Sequence, residues 1–190
     1  LHLERWKVDA HRKPLILRGA RQVGKTTVVN EFGKQFENYL YLNLEKREAA
    51  SLFELNVPLK DLMPLFFAHC GKVKKEGQIL LFIDEIQNSA KAMALLRYFY
   101  EELPDIYVIA AGSLLENLID VHVSFPVGRV QYMALRPCSF REFLGAVGEE
   151  ALVTVLDQPE VTFAFHDRLM LLFNIYTLIG GMPEVVQLYA

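Results

Sequence analysis

The run Gly19-Ala20-Arg21-Gln22-Val23-Gly24-Lys25-Thr26, followed by Thr27, fits G-x-x-x-x-G-K-[ST] and has the chemistry to hold a chain of phosphates. Gly19 and Gly24 let the backbone turn without a Cβ, so successive N–H groups can converge on one oxyanion. A helix opening at Lys25 adds its positive end. Lys25 supplies a compact charge for the outer phosphates, and the Thr26 hydroxyl is an oxygen ligand of the kind magnesium takes. Asp84 and Glu85 form a second group, directly after the apolar run 79–83. Adjacent acids at the edge of an apolar strand are costly unless paired or solvated. Beside a phosphate loop, Asp84 can hold magnesium through water, and Glu85 can orient or deprotonate an attacking water. Glutamate straight after aspartate, with no NKxD tetrapeptide for guanine, favours ATP over GTP. Ser113, at the polar end of another apolar run, has two compatible readings: a sensor of the γ-phosphate, or the N-cap of 114–119.

These residues need a scaffold that brings strand ends together. Apolar runs alternate with helical patterns along the chain, which points to βα units and a parallel sheet. Strands are expected at 15–18, 39–44, 79–83, 106–111 and 130–135. Helices are expected at 25–36, 48–55, 59–75, 91–103 and 139–147, the last with Ser139 as N-cap and Glu142 completing a capping box. From residue 151 the pattern is helical only, with an apolar stripe over 161–179 that Gly180-Gly181-Met182-Pro183 interrupts. A boundary is expected near residue 148, with a nucleotide-binding core over 1–148 and the start of a helical lid or C-terminal domain over 149–190.

The bulk properties set limits. The chain has 190 residues, of which 52% are apolar, enough for a substantial core. Its formal charge of −3 gives no electrostatic push toward nucleic acid. Cys70 and Cys138 lack the spacing of a zinc site or disulfide framework and read as reduced thiols, as in a cytoplasmic protein. His2, His11, His69, His122 and His166 are scattered without metal-ligand spacing. Arg97-Tyr98-Phe99-Tyr100 reads as core packing with one exposed arginine. No segment is long and apolar enough to span a membrane as a helix. The chain begins at Leu1 and stops within an amphipathic pattern, and so reads as a fragment of a longer protein.

The segments PLILRGARQVGKT (14–26), LLFIDEIQ (80–87), AAGS (110–113), PVGRVQYMALRPCSFREFL (126–144) and IGGMPEVV (179–186) occur in an order that resembles the prokaryotic AAA+-like ATPases of the "AAA domain fourteen" type. The likeness spans nearly the whole chain. It implies an α/β three-layer P-loop fold with a five-stranded parallel sheet in the order 5-1-4-3-2, and a C-terminal domain of unknown function beyond. It implies ATP and Mg²⁺ as ligands, Lys25 and Thr26 at phosphate and magnesium, Asp84 at magnesium, Glu85 as base and Ser113 as sensor. Arg129 matches a recurrent arginine of the family, which reads either as an arginine finger or as the partner of a surface acid. Arg21 and Gln87 are also typical of it; Arg21 either touches phosphate or is solvated. One departure is Leu114-Leu115-Glu116-Asn117, where family members often carry serines. The functions in view are a magnesium-dependent ATPase coupled to a partner or its own C-terminal domain, a nucleotide-gated switch with negligible hydrolysis, and a helper ATPase for nucleic-acid processing. Self-association is compatible with each.

Overall fold

The computed structural model describes residues 2–113, 128–158 and 163–190. Five parallel strands form one sheet: β1 (Leu15–Arg18), β2 (Asn38–Asn43), β3 (Ile79–Asp84), β4 (Tyr107–Gly112) and β5 (Gln131–Ala134). Their spatial order is β2-β3-β4-β1-β5, the expected 5-1-4-3-2 read from the other edge. After β1 the chain crosses to the far edge and returns through β3 to β4, which pairs with β1. Arg18 lies opposite Gly112, and Ile83 opposite Ala110. The carboxyl ends of β1, β4 and β3 therefore stand side by side, where open parallel sheets bind ligands.

Burial explains the central strands. β4 is buried at every position and β3 at all but its first, as expected for strands covered on both faces. β2 alternates instead: Leu40 and Leu42 enter the core while Tyr39 and Tyr41 are half-buried. The helices of this part are α1 (His2–Val8), α2 (Lys25–Gly33), α3 (Arg47–Glu54), α4 (Leu59–His69) and α5 (Ala90–Glu102). Phe53, Phe66 and Phe99, from α3, α4 and α5, pack in the core cluster that contains Leu40, Leu81 and Val108. Trp6 of α1 donates to the Lys13 carbonyl at 2.8 Å and meets Tyr107 edge-on.

The helix expected over 59–75 ends at His69. Gly71 adopts a left-handed φ of 62°, and Asn38 then pins the next loop, accepting from the Lys75 N–H at 2.7 Å and donating to its carbonyl at 2.9 Å. Local apolar periodicity runs on past that point, but the sheet edge captures the backbone.

The chain divides into two compact units, Leu1–Gly19 with Lys25–Ala134, and Ala20–Gly24 with Leu135–Ala190. The division falls after Ala134, earlier than the boundary near 148. The reason is that Phe143 and Leu144 of α6 (Phe140–Ala146) are buried with Leu152 and Val155 of α7 (Glu150–Leu156), Leu169 and Leu172 of α8 (Phe163–Ile179) and Val186 of α9 (Pro183–Tyr189). α6 opens with the capping box expected from Ser139 and Glu142. The Cys138 N–H donates to the Gly181 carbonyl at 2.7 Å, and the Tyr176 hydroxyl to the Cys138 carbonyl at 2.8 Å. Among the described residues no helix is long and apolar enough to cross a membrane. The alternative reading of Ser113 as cap of 114–119 lies outside the described residues, as does His122.

Candidate phosphate-binding site

Strand β1 delivers the chain to Gly19, and α2 begins at Lys25. Between them Gln22 (φ 61°) and Gly24 (φ 92°) take left-handed conformations. A Cβ at Gly24 would meet nothing within 4 Å, so the need for glycine there is conformational, not steric. Gln22 holds the same region with a side chain, a cost that turns at anion-binding loops commonly carry. Val23 is buried, while Ala20, Arg21 and Gln22 are exposed.

Lys25 is buried, and its Nζ donates to the Gly19 carbonyl at 2.9 Å. Burial drives its pKa below the usual lysine value, while the nearby charges of Glu85 and Asp84 work the other way. The cation is thus folded back onto the Gly19 carbonyl and only partly solvated.

Thr26 opens toward β3: its Oγ1 donates to Asp84 Oδ2 at 2.7 Å. The Tyr41 hydroxyl reaches the same oxygen at 3.3 Å. Asp84 Oδ1 accepts from the Glu85 N–H at 3.0 Å, so both oxygens of this buried carboxylate are engaged. The Tyr41 phenol is pushed up to about 12, by burial first and then by the charge of Asp84. Thr26 Oγ1 and Asp84 Oδ2 are hard oxygen donors of the type Mg²⁺ prefers. No group of three or more His, Cys, Asp or Glu side chains stands ready for a metal among the described residues. A magnesium ion here would complete its shell with phosphate oxygens and water, its usual habit. The residues present fit it.

Glu85 sits in the left-handed region (φ 53°, ψ 44°) and starts a tight 3₁₀ turn, Ile86–Asn88. Ile86 is fully buried and anchors the turn. The Gln87 Nε2 donates to Glu85 Oε2. Two polar atoms at this end of the sheet are buried without a hydrogen-bond partner among the described residues: Gln87 Oε1 and Ser113 Oγ. Native interiors leave few such atoms, and both lie just past the ends of adjacent strands.

The structure therefore brings Gly19, Lys25, Thr26, Asp84 and Glu85 together, with Ser113 following β4. Thr27 is exposed on α2. Arg129 is elsewhere: its Nε meets Glu101 Oε1 at 2.8 Å, just before β5, whose first residue pairs with Leu15 at the opposite end of β1 from the loop. Within its own chain it is not brought to the site. Tyr41 was not singled out from sequence; the signal available was the Asn-Tyr-Leu-Tyr-Leu-Asn alternation, which sets one aromatic face beside β3. The sequence points to Gln87 only through the family resemblance, which gives it no role.

A model of the AAA domain (AAA_14) matches residues 11–144. Among solved structures, the Walker-type ATPase PABY2304 of Pyrococcus abyssi aligns with a TM-score of 0.53 at 18% identity, over 97% of this chain and 63% of that one. The Drosophila ORC structure bound to DNA aligns at 0.58 and 15%, over 98% and 57%. The Aeropyrum pernix ORC2 protein, solved as ADPNP–ADP complexes, aligns at 0.50 and 16%, over 80% and 49%. At these identities the likeness concerns the fold. The chain spans between about half and two thirds of the length of these proteins. The comparison with curated proteins finds no match.

Proposed function

The chain belongs to the AAA domain family, and from that premise we propose that it binds ATP with magnesium and hydrolyses the β–γ phosphoanhydride. The observation that supports this most is the joined set at the strand ends: Lys25 folded onto Gly19, Thr26 bonded to Asp84, and Glu85 next to it on a left-handed turn. In this reading the N–H groups of 19–27 hold the phosphate chain, and Lys25 exchanges the Gly19 carbonyl for β- and γ-phosphate oxygens. Thr26 and Asp84 would hold magnesium, which when bound would supply positive charge to the phosphates. Glu85 takes a proton from water as the water oxygen bonds to the γ-phosphorus and the bond to the bridging oxygen breaks, giving ADP and phosphate. Ser113 donates its hydroxyl to the γ-phosphate; its buried oxygen has no hydrogen-bond partner among the described residues. Nucleotide state then couples to a C-terminal effector or partner.

Steady-state turnover with magnesium, with Glu85→Gln as control, tests the reading. The variant is expected to keep ATP binding and lose turnover by about 10²–10⁴-fold. A normal rate in the variant removes Glu85 as base. ATP bound without turnover in either protein brings forward the nucleotide-gated switch, a reading that the distant pairing of Arg129 with Glu101 also favours.

A further inference from the structure

We propose that Gln87 is a positioning residue for the Glu85 carboxylate, an inference that rests on the ATPase reading above. Glu85 stands where the strand ends and the chain turns left-handed, so its own backbone fixes the direction of its Cβ but not the rotamer of a long acid. Something must select one orientation if the carboxylate is to meet water reproducibly. Two residues on, inside the same 3₁₀ turn, the Gln87 amide does so by donating from Nε2 to Oε2.

The turn itself is rigidly held. The Glu85 N–H is bound by Asp84, the Asn88 N–H donates to the Glu85 carbonyl at 3.0 Å, and the Ser89 N–H to the Ile86 carbonyl at 3.1 Å. Ser89 in turn caps α5, accepting from the Ala92 N–H. Gln87 is therefore carried on a fixed base between β3 and α5, and its reach back to Glu85 is short.

The orientation of the amide follows from chemistry. An ionised carboxylate only accepts, so the NH₂ end must face Glu85 and the oxygen must face away. That oxygen is buried and has no donor among the described residues. A glutamine kept only to fill space would sit better as an apolar side chain of the same shape. One whose nitrogen orients a base, and whose oxygen is left for a donor, suits a place where water comes to react.

The test uses this chain with Gln87→Met, which keeps length and loses both polar atoms, and Gln87→Glu, which keeps size and sets like charge against Glu85. Both are expected to lower kcat about 10- to 100-fold, as outer partners of reacting groups do, with KM and the melting temperature little changed. In nitrogen-15 NMR, the Gln87 side-chain amide signal, assigned by its loss in Gln87→Met, is expected to be displaced from the free-amide position and to return there in Glu85→Ala. Unchanged kcat in Gln87→Met, or an amide signal already at the free position, overturns the inference alone, provided that Glu85→Gln abolishes turnover. Parallel changes in KM and melting temperature overturn it in favour of a structural role. Wild-type protein without turnover removes the reaction reading, and the positioning role falls with it.

Discussion

At the scale of single residues, Lys25 has an unusual situation. Its ammonium is buried and donates to the Gly19 carbonyl at 2.9 Å, and burial lowers its pKa. A phosphate chain would add countercharge to a buried cation whose pKa the charges of Glu85 and Asp84 already hold up against burial. Lys25→Ala should therefore lose about 2–5 kcal/mol of ATP binding, roughly 30-fold in Kd at the low end, while the free protein unfolds no more easily. Calorimetric titration checks the first part and thermal unfolding the second; unchanged affinity would remove the loop from phosphate binding. This part of the site was legible from sequence because the loop's chemistry is local: glycines, lysine and threonine act within one short run. Asp84 and Glu85 were legible because an apolar run ends on them. Tyr41 was not, since its bond to Asp84 depends on β2 lying beside β3, a pairing between residues 43 apart in the chain.

At the scale of elements, β2 shows what such a pairing does. Tyr41 stacks on Phe82 at 5.4 Å and bonds Asp84, two positions on from its register partner. Its pKa is raised from 10.0 to about 12, so the folded chain keeps the phenolic proton longer than the unfolded chain does. The stability this contributes is complete below about pH 10 and is lost as pH rises toward 12. Tyr41→Phe cannot ionise, so denaturant unfolding should show a shallower alkaline loss for the variant than for the wild type; equal slopes would mean that neither burial nor Asp84 holds the phenol protonated in the folded chain. The second unit offers a steric counterpart. A Cβ at Gly181 would run into the Cys138 carbonyl oxygen, which already accepts from Tyr176. Gly181→Ala should destabilise by about 1–3 kcal/mol through overpacking, read as a lower melting temperature, and no change would mean that this joint yields freely. The strands and most helices were legible because each carries its own periodicity. The end of α4 was set instead by Asn38 from another strand, and the division after Ala134 by the burial of Phe143 and Leu144 among helices that follow them. Non-local contacts of this kind leave no mark on a local pattern.

At the scale of the whole molecule, the polarity of a parallel sheet sorts its charges. All five strands run the same way, so their carboxyl ends gather Gly19, Lys25, Asp84, Glu85 and Ser113, while their amino ends face away. Arg129 precedes β5 at the amino end and is bound to Glu101 of α5, whose carboxylate it holds below the usual range. An arginine finger must reach the γ-phosphate, and β1 alone, at about 3.3 Å per residue, separates the two ends by about 10 Å. Arg129 in its own chain is thus half of an exposed surface ion pair, the kind that contributes little to stability. Arg129→Ala is expected to leave ATP affinity, turnover per chain and melting temperature nearly unchanged. The check is kcat measured across a range of protein concentrations for both proteins. Flat and equal profiles confirm the ion pair. A wild-type rate that climbs with concentration, lost in the variant, would instead give Arg129 to the site of a neighbouring copy, because only a second molecule could carry the amino end of one sheet to the carboxyl end of another.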